Sequence, residues 1–286
     1  MKQLVEKASI LIEALPYIKR FRGKEIVIKY GGAVMTDPED LLNFLQDLVF
    51  MNYVGIKPIL VHGGGPSITA NLKKSGLQSK FVNGLRVTDE KTMEVVIDTL
   101  ADLNKSLVHD LNRLGARAIG FSGHDAEIFH VEKHKASGDV GFVGDVVSVN
   151  FAPIREMTDL NIIPVIYAVG IDDDFKTYNV NADEAASKLA VAMQVQKIMI
   201  LTNVDGILRD AQDPQSLISS IQTDEVQDLI DRKIIQGGMI PKIKAGIEAL
   251  QGGVKKAHII NGNITHSLLL EVFTDRGIGT EIILPS

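Results

Sequence analysis

The 286-residue chain contains no cysteine, which excludes disulfides, thiolate-bound metals and a cysteine nucleophile. It has no apolar run of the roughly 18 residues that a membrane helix needs, and its N-terminus lacks the features of a secretory signal. The formal net charge is −6 and no long basic run occurs, so the electrostatic footprint of a nucleic-acid-binding protein is missing. These absences predict a cytoplasmic protein that binds neither nucleic acid nor a membrane.

Several catalytic motifs are absent as well. The chain has no Gly-x-Ser-x-Gly turn, no Gly-x₄-Gly-Lys-Ser/Thr phosphate loop and no His-Arg-Asp or Asp-Phe-Gly triplet of the protein kinases. No spacing of His, Asp and Glu resembles a metal cage. We therefore expect no metal held by protein ligands, and an anionic substrate would have to be bound by a few locally placed cations.

What is present is an alternation of β-branched apolar runs with segments of helical periodicity. The pattern predicts strands at about 26–28, 57–61, 116–121, 162–169, 197–201, 258–261 and 280–284, and helices at about 39–52, 90–114, 182–194, 223–235 and 241–251. Short alternating pieces broken by glycine at 126–150 indicate hairpins. Strands that alternate with helices predict an α/β fold, with a mostly parallel sheet covered by helices on both faces.

A further helix is predicted at 3–21, before the first strand, and Pro16 should kink or divide it. An amphipathic helix at a terminus must cover either the core of its own subunit or another subunit. No linker or low-complexity tract follows, so any two lobes would share one continuous fold.

The first strand leads directly into a turn suited to an anion. It ends at Lys29, and Gly31 and Gly32 follow within three residues. Glycine lets the backbone approach a ligand closely, and ligands of open α/β sheets sit at the carboxyl ends of strands. A lysine beside bare backbone N–H groups suits a phosphate. Taken alone, the stretch fits a surface lysine before a glycine turn equally well.

A second strand runs into the triplet Gly63, Gly64 and Gly65, with Pro66 in the position favoured at a helix start. Three glycines at a helix N-terminus expose N–H groups that attract an anion. A tight turn is the alternative, but a turn rarely needs three glycines. His62, just before the triplet, is expected to be packed or hydrogen-bonded rather than to act as a base.

Lys242 lies in the first predicted turn of a helix, where the macrodipole makes a cation unfavourable unless a negative group faces it. Asn179, Asn181 and Asp183 alternate, so an extended segment would point them to one side, and Asp183 could orient two lysines. A capping box of Asn181 with Glu184 is the structural alternative for that pair.

Two phosphate-type turns, two lysines and no general base fit phosphoryl transfer, which depends mainly on positioning and charge stabilisation. A carboxylate acceptor needs no base because it is ionised at neutral pH, with a pKa near ~4. The missing base therefore points to an acyl-phosphate product.

Arg86 stands alone on a polar loop. Arginine pairs bidentately with carboxylates, although an arginine in such a loop is more often solvated.

The motifs in this order resemble those of the N-acetylglutamate kinases of the amino-acid kinase superfamily, from about residue 24 to 284. They are Lys29-Tyr-Gly-Gly, His62-Gly-Gly-Gly-Pro, Asn83-Gly-Leu-Arg-Val-Thr, Asn179-Val-Asn-Ala-Asp and Gly237-Gly-Met-Ile-Pro-Lys. The resemblance implies a three-layer α/β/α sandwich after an N-terminal oligomerisation helix (1–22). An N-terminal lobe (23–175) would bind N-acetyl-L-glutamate and dimerise, and a C-terminal lobe (176–286) would bind ATP.

The resemblance also implies roles for single residues. Lys29 and Lys242 would stabilise the transferring phosphoryl group, and Asp183 would orient both. N-acetylglutamate would be bound by Gly64, Gly65, Arg86, Asn179 and Asn181, with the arginine on its α-carboxylate. ATP, with Mg²⁺ held mainly by its own phosphates, would contact Gly31, Gly32, Thr202, Asn203, Asp205, Gly206, Ile207, Leu208, Ile234, Ile235 and Gln236.

The N-terminal helix resembles that of the arginine-inhibited family members, which form hexamers, as trimers of dimers, by exchanging such helices. L-arginine would bind at Tyr17, Lys197, His258, Glu271 and Gly279, although Tyr17 could simply be a packing aromatic. The implied reaction is the phosphorylation of the γ-carboxylate of N-acetyl-L-glutamate by ATP, the second step of arginine synthesis. Alternatives are a sibling kinase acting on glutamate, aspartate or N-blocked aminoadipate, and a catalytically silent arginine sensor.

Overall fold

A computed structural model describes residues 1–31, 37–135, 138–210, 212–275 and 277–285. The helices are α1 (Lys2–Phe21), α2 (Pro38–Tyr53), α3 (Gly65–Lys74), α4 (Glu90–Arg113), α5 (Ala152–Asp159), α6 (Ala182–Met193), α7 (Val226–Asp231), α8 (Met239–Gln251) and α9 (Ser267–Val272), with 3₁₀ turns at Asp125–Glu127 and Pro214–Ser216. The strands are β1 (Glu25–Tyr30), β2 (Lys57–His62), β3 (Phe81–Val82), β4 (Leu85–Arg86), β5 (Ala118–Ser122), β6 (Phe129–Lys133), β7 (Val143–Val149), β8 (Ile163–Tyr167), β9 (Val169–Ile171), β10 (Thr177–Val180), β11 (Lys197–Thr202), β12 (Ser220–Gln222), β13 (Ala257–Asn261) and β14 (Thr280–Ile283).

The central sheet has eight strands in the order β12-β14-β13-β11-β1-β2-β8-β5. Its neighbouring pairs are parallel except β13 and β14. The chain passes from β1 to β2 on one side, and later from β11 to β13 on the other. β1 and β11 therefore lie side by side where the strand order reverses, and a ligand crevice is expected at their carboxyl ends. The sheet runs through both predicted lobes, and the division near residue 175 stays a prediction.

Helices cover both faces of this sheet. Ile26 and Ile28 of β1 lie in one buried cluster, packed against α2 and α4, whereas Val27 between them lies in another, packed against α6 and α8. This alternation follows from the two-residue period of a strand. Tyr30 of β1 stacks on Phe44 of α2 with ring centroids 4.1 Å apart. The fold is the predicted α/β/α sandwich.

A small second sheet, in which β10, β7, β6 and β9 close into a barrel, lies beside α6. β6 and β7 form an antiparallel hairpin with an irregularity between His130 and Val131. The hairpin predicted within 126–150 is thus confirmed. Another two-stranded piece, β3 and β4, carries Arg86 on its second strand. Both additions stand near the carboxyl ends of β1 and β2, where they form walls of the site.

One expectation about a single element was wrong in part, and two were wrong. α1 is not divided at Pro16, since the helix is exposed there and water can bind the carbonyl that loses its partner; a kink at Pro16 stays a prediction. α7 covers only the middle of the helix predicted at 223–235, because Lys233 takes a left-handed conformation (φ 59°) that ends it. The strand predicted at 162–169 divides into β8 and β9, because the chain leaves the central sheet there to join the barrel.

Side-chain caps fix the starts of two helices. Asp37 caps α2, and its carboxylate accepts hydrogen bonds from the backbone N–H groups of Glu39 and Asp40. Asp89 caps α4 in the same way, through the N–H of Thr92. Within the described ranges, no helix is both long enough and apolar enough to span a membrane.

Candidate active site

Lys29, Asp183 and Lys242 meet at the carboxyl end of β1. Lys29 is on β1, Asp183 in the first turn of α6 and Lys242 near the start of α8. Nζ of Lys29 lies 2.9 Å from Oδ1 of Asp183, and Nζ of Lys242 lies 3.0 Å from Oδ2. The three residues come together because α6 and α8 pack on the same face of the sheet, with their N-termini at the carboxyl ends of the strands.

These three side chains are largely buried, with 6%, 8% and 17% of the Lys29, Asp183 and Lys242 side chains exposed. Burial raises the pKa of Asp183, but the two lysines outweigh it and lower the pKa below its usual value, so the carboxylate is ionised. Burial and Lys29 lower the pKa of Lys242, while Asp183 opposes this. One carboxylate between two ammonium groups leaves an excess positive charge, which favours an anion at this point.

Asn181 caps α6: its Oδ1 accepts hydrogen bonds from the N–H groups of Asp183 (2.8 Å) and Glu184 (3.4 Å). The other half of the expected capping box was wrong, because Glu184 accepts a hydrogen bond from the N–H of Val146 at 2.8 Å instead. The reason is that β10, the neighbour of β7, ends at Val180. The carboxylate of Glu184 binds the N–H that β7 presents beyond that point.

Lys29 forms one wall of a cavity of about 210 Å³ that contains all the residues predicted to bind N-acetylglutamate: Gly64, Gly65, Arg86, Asn179 and Asn181. Several apolar lining residues were missed from the sequence: Ile68, Phe81, Leu85, Leu100, Val143 and Ala168. Phe81 had a usable signal, since it stands just before the Asn83-Gly-Leu-Arg motif. The cavity has cations at Lys29 and Arg86 and an apolar wall beside them, which suits an acidic ligand with an apolar part.

Arg86 is buried and fixed by neutral partners. Its Nη2 donates to the carbonyl of Gly65 (3.0 Å) and to Oγ1 of Thr69 (2.9 Å), and its Nη1 donates to Oγ of Ser79 (2.6 Å). The guanidinium lies 4.7 Å from the ring centroid of Phe81. Among the described residues it forms no salt bridge. The alternative of a solvated loop arginine is thus wrong, and the side chain is available to a carboxylate ligand.

The triglycine turn joins β2 to α3, which begins at Gly65. A Cβ at Gly64 would lie 2.8 Å from Cδ2 of Leu100 and 2.9 Å from Cδ1 of Leu103, so these two side chains of α4 would have to shift to admit one. The first N–H groups of α3 have no partner within the helix, and Gly64 and Gly65 line the cavity. His62 is buried, which lowers its pKa to about 4, and its Nε2 lies 3.1 Å from Nδ2 of Asn104. It is hydrogen-bonded within the core, as predicted.

A second cavity, of about 450 Å³, lies against Lys242. From the predicted nucleotide set it is lined by Thr202, Asn203, Gly206, Ile207, Leu208, Ile234 and Gln236. Val204, Gly238 and Met239 also line it and were missed. The loop 203–208 after β11 and the start of α8 therefore face each other across a site large enough for a nucleotide.

Three of the predicted nucleotide residues do not line this cavity. Ile235 is buried in the hydrophobic core, with 1% of its surface exposed, so its side chain is not part of the cavity wall. Asp205 accepts a hydrogen bond from Nδ2 of Asn261 at 2.7 Å. A Cβ at Gly31 would lie 3.5 Å from Nζ of Lys29, which places Gly31 beside the lysine. Gly32 lies outside the described residues.

The five residues predicted for arginine surround a third cavity, of about 130 Å³, between α1 and the C-terminal elements. They are Tyr17, Lys197, His258, Glu271 and Gly279. Arg20, Phe21, Ser219, Lys256, Val272, Thr274, Asp275, Gly277 and Glu281 complete its wall. The hydroxyl of Tyr17 donates to Oδ1 of Asp275 at 2.6 Å, so Tyr17 does more than pack a helix. We refer to this space as the Tyr17 cavity.

Glu271 is the buried centre of the Tyr17 cavity. Its Oε1 lies 3.1 Å from Nζ of Lys197 and 3.0 Å from Nε2 of His258. Burial lowers the pKa of Lys197, and Glu271 opposes this. Burial, Lys197 and Lys256 lower the pKa of His258 to about 2, so its imidazole is neutral. The cavity therefore presents carboxylates and cations together, as a zwitterionic ligand would require.

A metal site built from protein side chains is not found within the described ranges, where no group of three or more His, Cys, Asp and Glu residues is placed to hold an ion. The carboxylate of Asp183 is already engaged by two lysines.

Three comparisons with known proteins bear on this site. The sequence model of the amino acid kinase family matches residues 24–261. The acetylglutamate kinase of Caldanaerobacter subterraneus subsp. tengcongensis is 53% identical over 277 residues, which cover 96% of this chain and 93% of the relative. The structure of N-acetylglutamate synthase from Neisseria gonorrhoeae with coenzyme A and N-acetyl-glutamate has a TM-score of 0.85 at 25% identity, and covers 98% of this chain and 64% of that longer chain. The same synthase with coenzyme A and L-arginine has a TM-score of 0.82 at 25% identity, with 96% and 65% covered.

We expect Asp183→Asn to lower the free energy of unfolding at pH 7 by about 3–5 kcal/mol, because two buried ammonium groups lose their counter-charge. The pKa of Asp183 is depressed in the folded state, so its stabilisation is present above the unfolded value of 3.8 and is lost as the pH falls below it. The difference between the variant and the wild type should therefore shrink below about pH 4. Urea unfolding at fixed protein concentration over a pH series measures this. Asp159→Asn, at an exposed partner of Lys57, is the control and should change little. An equal loss at every pH would contradict the assignment.

Proposed function

We propose that this chain, which belongs to the amino acid kinase family and within it to the acetylglutamate kinases, transfers the γ-phosphoryl group of ATP to the γ-carboxylate of N-acetyl-L-glutamate. The reaction is the second step of arginine biosynthesis. One observation carries the proposal: Asp183 holds two lysines between two cavities. Arg86 lies in the first cavity, and the loop after β11 lines the second.

In the proposed step, an oxygen of the γ-carboxylate attacks the γ-phosphorus while the bond from that phosphorus to the bridging oxygen breaks. The electron pair of that bond leaves with ADP, and N-acetyl-L-glutamyl 5-phosphate forms. No proton has to be removed, because the attacking carboxylate is already ionised at neutral pH. The chain needs to supply only positioning and positive charge.

Lys29 and Lys242 supply that charge. Lys29 lines the first cavity and Lys242 the second, so the transferring group would pass between their ammonium groups. Asp183 fixes both in advance, and a charge that is already in place stabilises the transition state without reorganisation. Mg²⁺ that accompanies ATP would be held mainly by the phosphates of the nucleotide.

The acidic substrate would lie along the first cavity. Arg86 would pair with its α-carboxylate, since the guanidinium is fixed by neutral partners and has no salt bridge among the described residues. The amides of Asn179 and Asn181 and the N–H groups of Gly64 and Gly65 would contact the rest. Phe81 and Leu100 offer apolar surface to the acetyl group and the carbon chain. In this arrangement residues 23–175 form most of the acid site, and 176–286 the ATP site.

A hydroxamate assay across N-acetyl-L-glutamate, glutamate, aspartate and N-acetyl-aminoadipate tests the substrate. We expect the acylated glutamate to give at least tenfold more product than free glutamate, because a free ammonium group would enter a site with two cations and apolar walls. Equal product from free glutamate would favour a sibling kinase. No product from any acid would favour a silent arginine sensor.

Lys242→Ala should lower kcat by about 10²–10³-fold and change KM for N-acetylglutamate little, because the ammonium group acts on charge that develops in the transition state. Steady-state kinetics at saturating ATP measure both quantities. The matched control is Lys244→Ala, two residues further along α8 and exposed to solvent, which should leave kcat within twofold of the wild type. Unchanged turnover in Lys242→Ala would remove that residue from its assigned role.

We further infer that L-arginine inhibits the enzyme from the Tyr17 cavity and that the cytoplasmic protein is a homohexamer, a trimer of dimers. Glu271 and Asp275 could take the guanidinium of arginine, and Lys197 and Lys256 its carboxylate. The Neisseria synthase has been crystallised with L-arginine. α1 exposes Val5, Ile10, Leu11 and Ile12, each by more than half. Exposed apolar side chains of this kind on a terminal helix are suited to pairing with the same helix of another dimer.

Deletion of residues 1–20 tests both inferences. We expect the truncated protein to retain kcat, to form dimers instead of hexamers, and to lose most of its inhibition by arginine, because Tyr17 forms part of the cavity. Light scattering gives the mass, and assays over an arginine series give the inhibition. A truncated protein that is still hexameric would contradict the role of α1, and one that is still fully inhibited would contradict the location of the arginine site.

A further inference from the structure

Thr280, the first residue of β14, has no exposed surface, and its hydroxyl joins two separate segments. Oγ1 accepts a hydrogen bond from the backbone N–H of Ile207 at 2.9 Å and donates one to the carbonyl of Ile218 at 2.7 Å. The N–H of Ile218 in turn donates to the carbonyl of Ile207 at 2.8 Å. Three hydrogen bonds thus form a closed ring among residues 207, 218 and 280.

Ile207 belongs to the loop that lines the second cavity, together with Gly206 and Leu208. Gly206 has φ of 127°, and a Cβ there would lie 2.7 Å from Oγ1 of Thr280 and 3.0 Å from Cδ1 of Leu217. Only glycine allows such an approach without displacement of its neighbours. The loop is therefore pressed against Thr280 at one residue and hydrogen-bonded to it at the next.

The hydroxyl has no simple substitute in this place. Ile207 and Ile218 are buried, with 2% and 8% exposed, so water cannot readily reach the N–H and carbonyl groups that Thr280 binds. Buried backbone polar groups that lose their partner destabilise the local conformation. Without the hydroxyl, the segment around Ile207 would move outward to find water, and the cavity wall would move with it.

We propose that Thr280 is a positioning residue for ATP: its hydroxyl fixes the loop 202–208 in the conformation that binds the nucleotide. The inference rests on the proposed function, in which ATP occupies the second cavity. Thr280 does not line that cavity and does not touch the reacting groups. Its effect should therefore appear in nucleotide affinity and not in the chemical step.

The test compares Thr280→Val, which keeps the shape and removes the hydroxyl, with Thr280→Ser, which keeps the hydroxyl. KM for ATP is measured at saturating N-acetylglutamate, and KM for N-acetylglutamate at saturating ATP. We expect the valine variant to raise KM for ATP about tenfold, consistent with the loss of two buried hydrogen bonds, and to leave kcat and the other KM within about twofold. The serine variant should restore KM for ATP to within about threefold of the wild type.

Thr158→Val is the matched control. Thr158 is also buried, with 2% exposed, and its hydroxyl lies within hydrogen-bond distance of two acceptors, the carbonyl of Arg155 and Oε1 of Glu25, to one of which it donates at a time. It does not line the nucleotide cavity, so its loss should leave both KM values unchanged. A rise in KM for ATP that is the same in both valine variants would show a general stability effect and overturn the proposal.

Hydrogen exchange tests directly the hydrogen bond from the N–H of Ile207 to Thr280. The amide of Ile207 should exchange faster in Thr280→Val than in the wild type, while amides of β1 should not change. Thr280→Ala replaces the valine variant if that variant does not fold. An unchanged KM for ATP in an active Thr280→Val protein would overturn this inference and leave the proposed function intact. A wild-type protein that makes no ATP-dependent product would overturn the proposed function itself.

Discussion

The carboxylate of Asp183, held between Lys29 and Lys242, is the interaction on which the rest of the site depends. A buried carboxylate is unfavourable without compensation, and two lysines within 3.0 Å provide it. Each lysine comes from a different part of the fold, one from a central strand and one from a helix start. The sheet order places those parts together, because the parallel strands β1 and β11 lie side by side where the strand order reverses. The two cavities then open on either side of the two cations.

The three cavities share elements as well as a sheet. Gly279, just before β14, and Glu281 on β14 lie at the Tyr17 cavity, while Thr280 between them bonds the loop of the second cavity. Alternation along an extended segment explains how one strand faces both. α9, which carries Glu271, is held at its start by Asp47 of α2, whose carboxylate accepts a hydrogen bond from the N–H of Leu268 at 3.1 Å. Rigid connections of this kind keep each cavity wall in a fixed place.

Much of this could be predicted from the sequence because the signals are local. The alternation of strands with helices predicted the layered sheet. The glycine turns and Lys29 pointed to an anion site, and the resemblance to the acetylglutamate kinases supplied the remaining site residues. The residues predicted to bind N-acetylglutamate all line the first cavity, and those predicted to bind arginine all line the Tyr17 cavity.

What could not be predicted depends on contacts between distant segments. The carboxylate of Glu184 accepts a hydrogen bond from Val146 of β7 and does not cap its own helix, because β10, the neighbour of β7, ends at Val180. Ile235 lies between the cavity residues Ile234 and Gln236, yet its side chain faces the core. No role was predicted for Thr280, and its importance follows only from the two buried backbone groups that it joins. Sequence patterns report the periodicity of one segment, and these cases are decided by what the segment meets.

The most direct measurement is a crystal structure of the protein with ADP, an aluminium fluoride and N-acetyl-L-glutamate, in which the fluoride stands for the phosphoryl group in transfer. We expect Nζ of Lys29 and Nζ of Lys242 both to lie within hydrogen-bond distance of the fluoride, at about 3 Å, with Asp183 still bridging them. A complex in which either ammonium group turns away from the fluoride, or in which Asp183 releases one lysine, would contradict the central role given to this carboxylate.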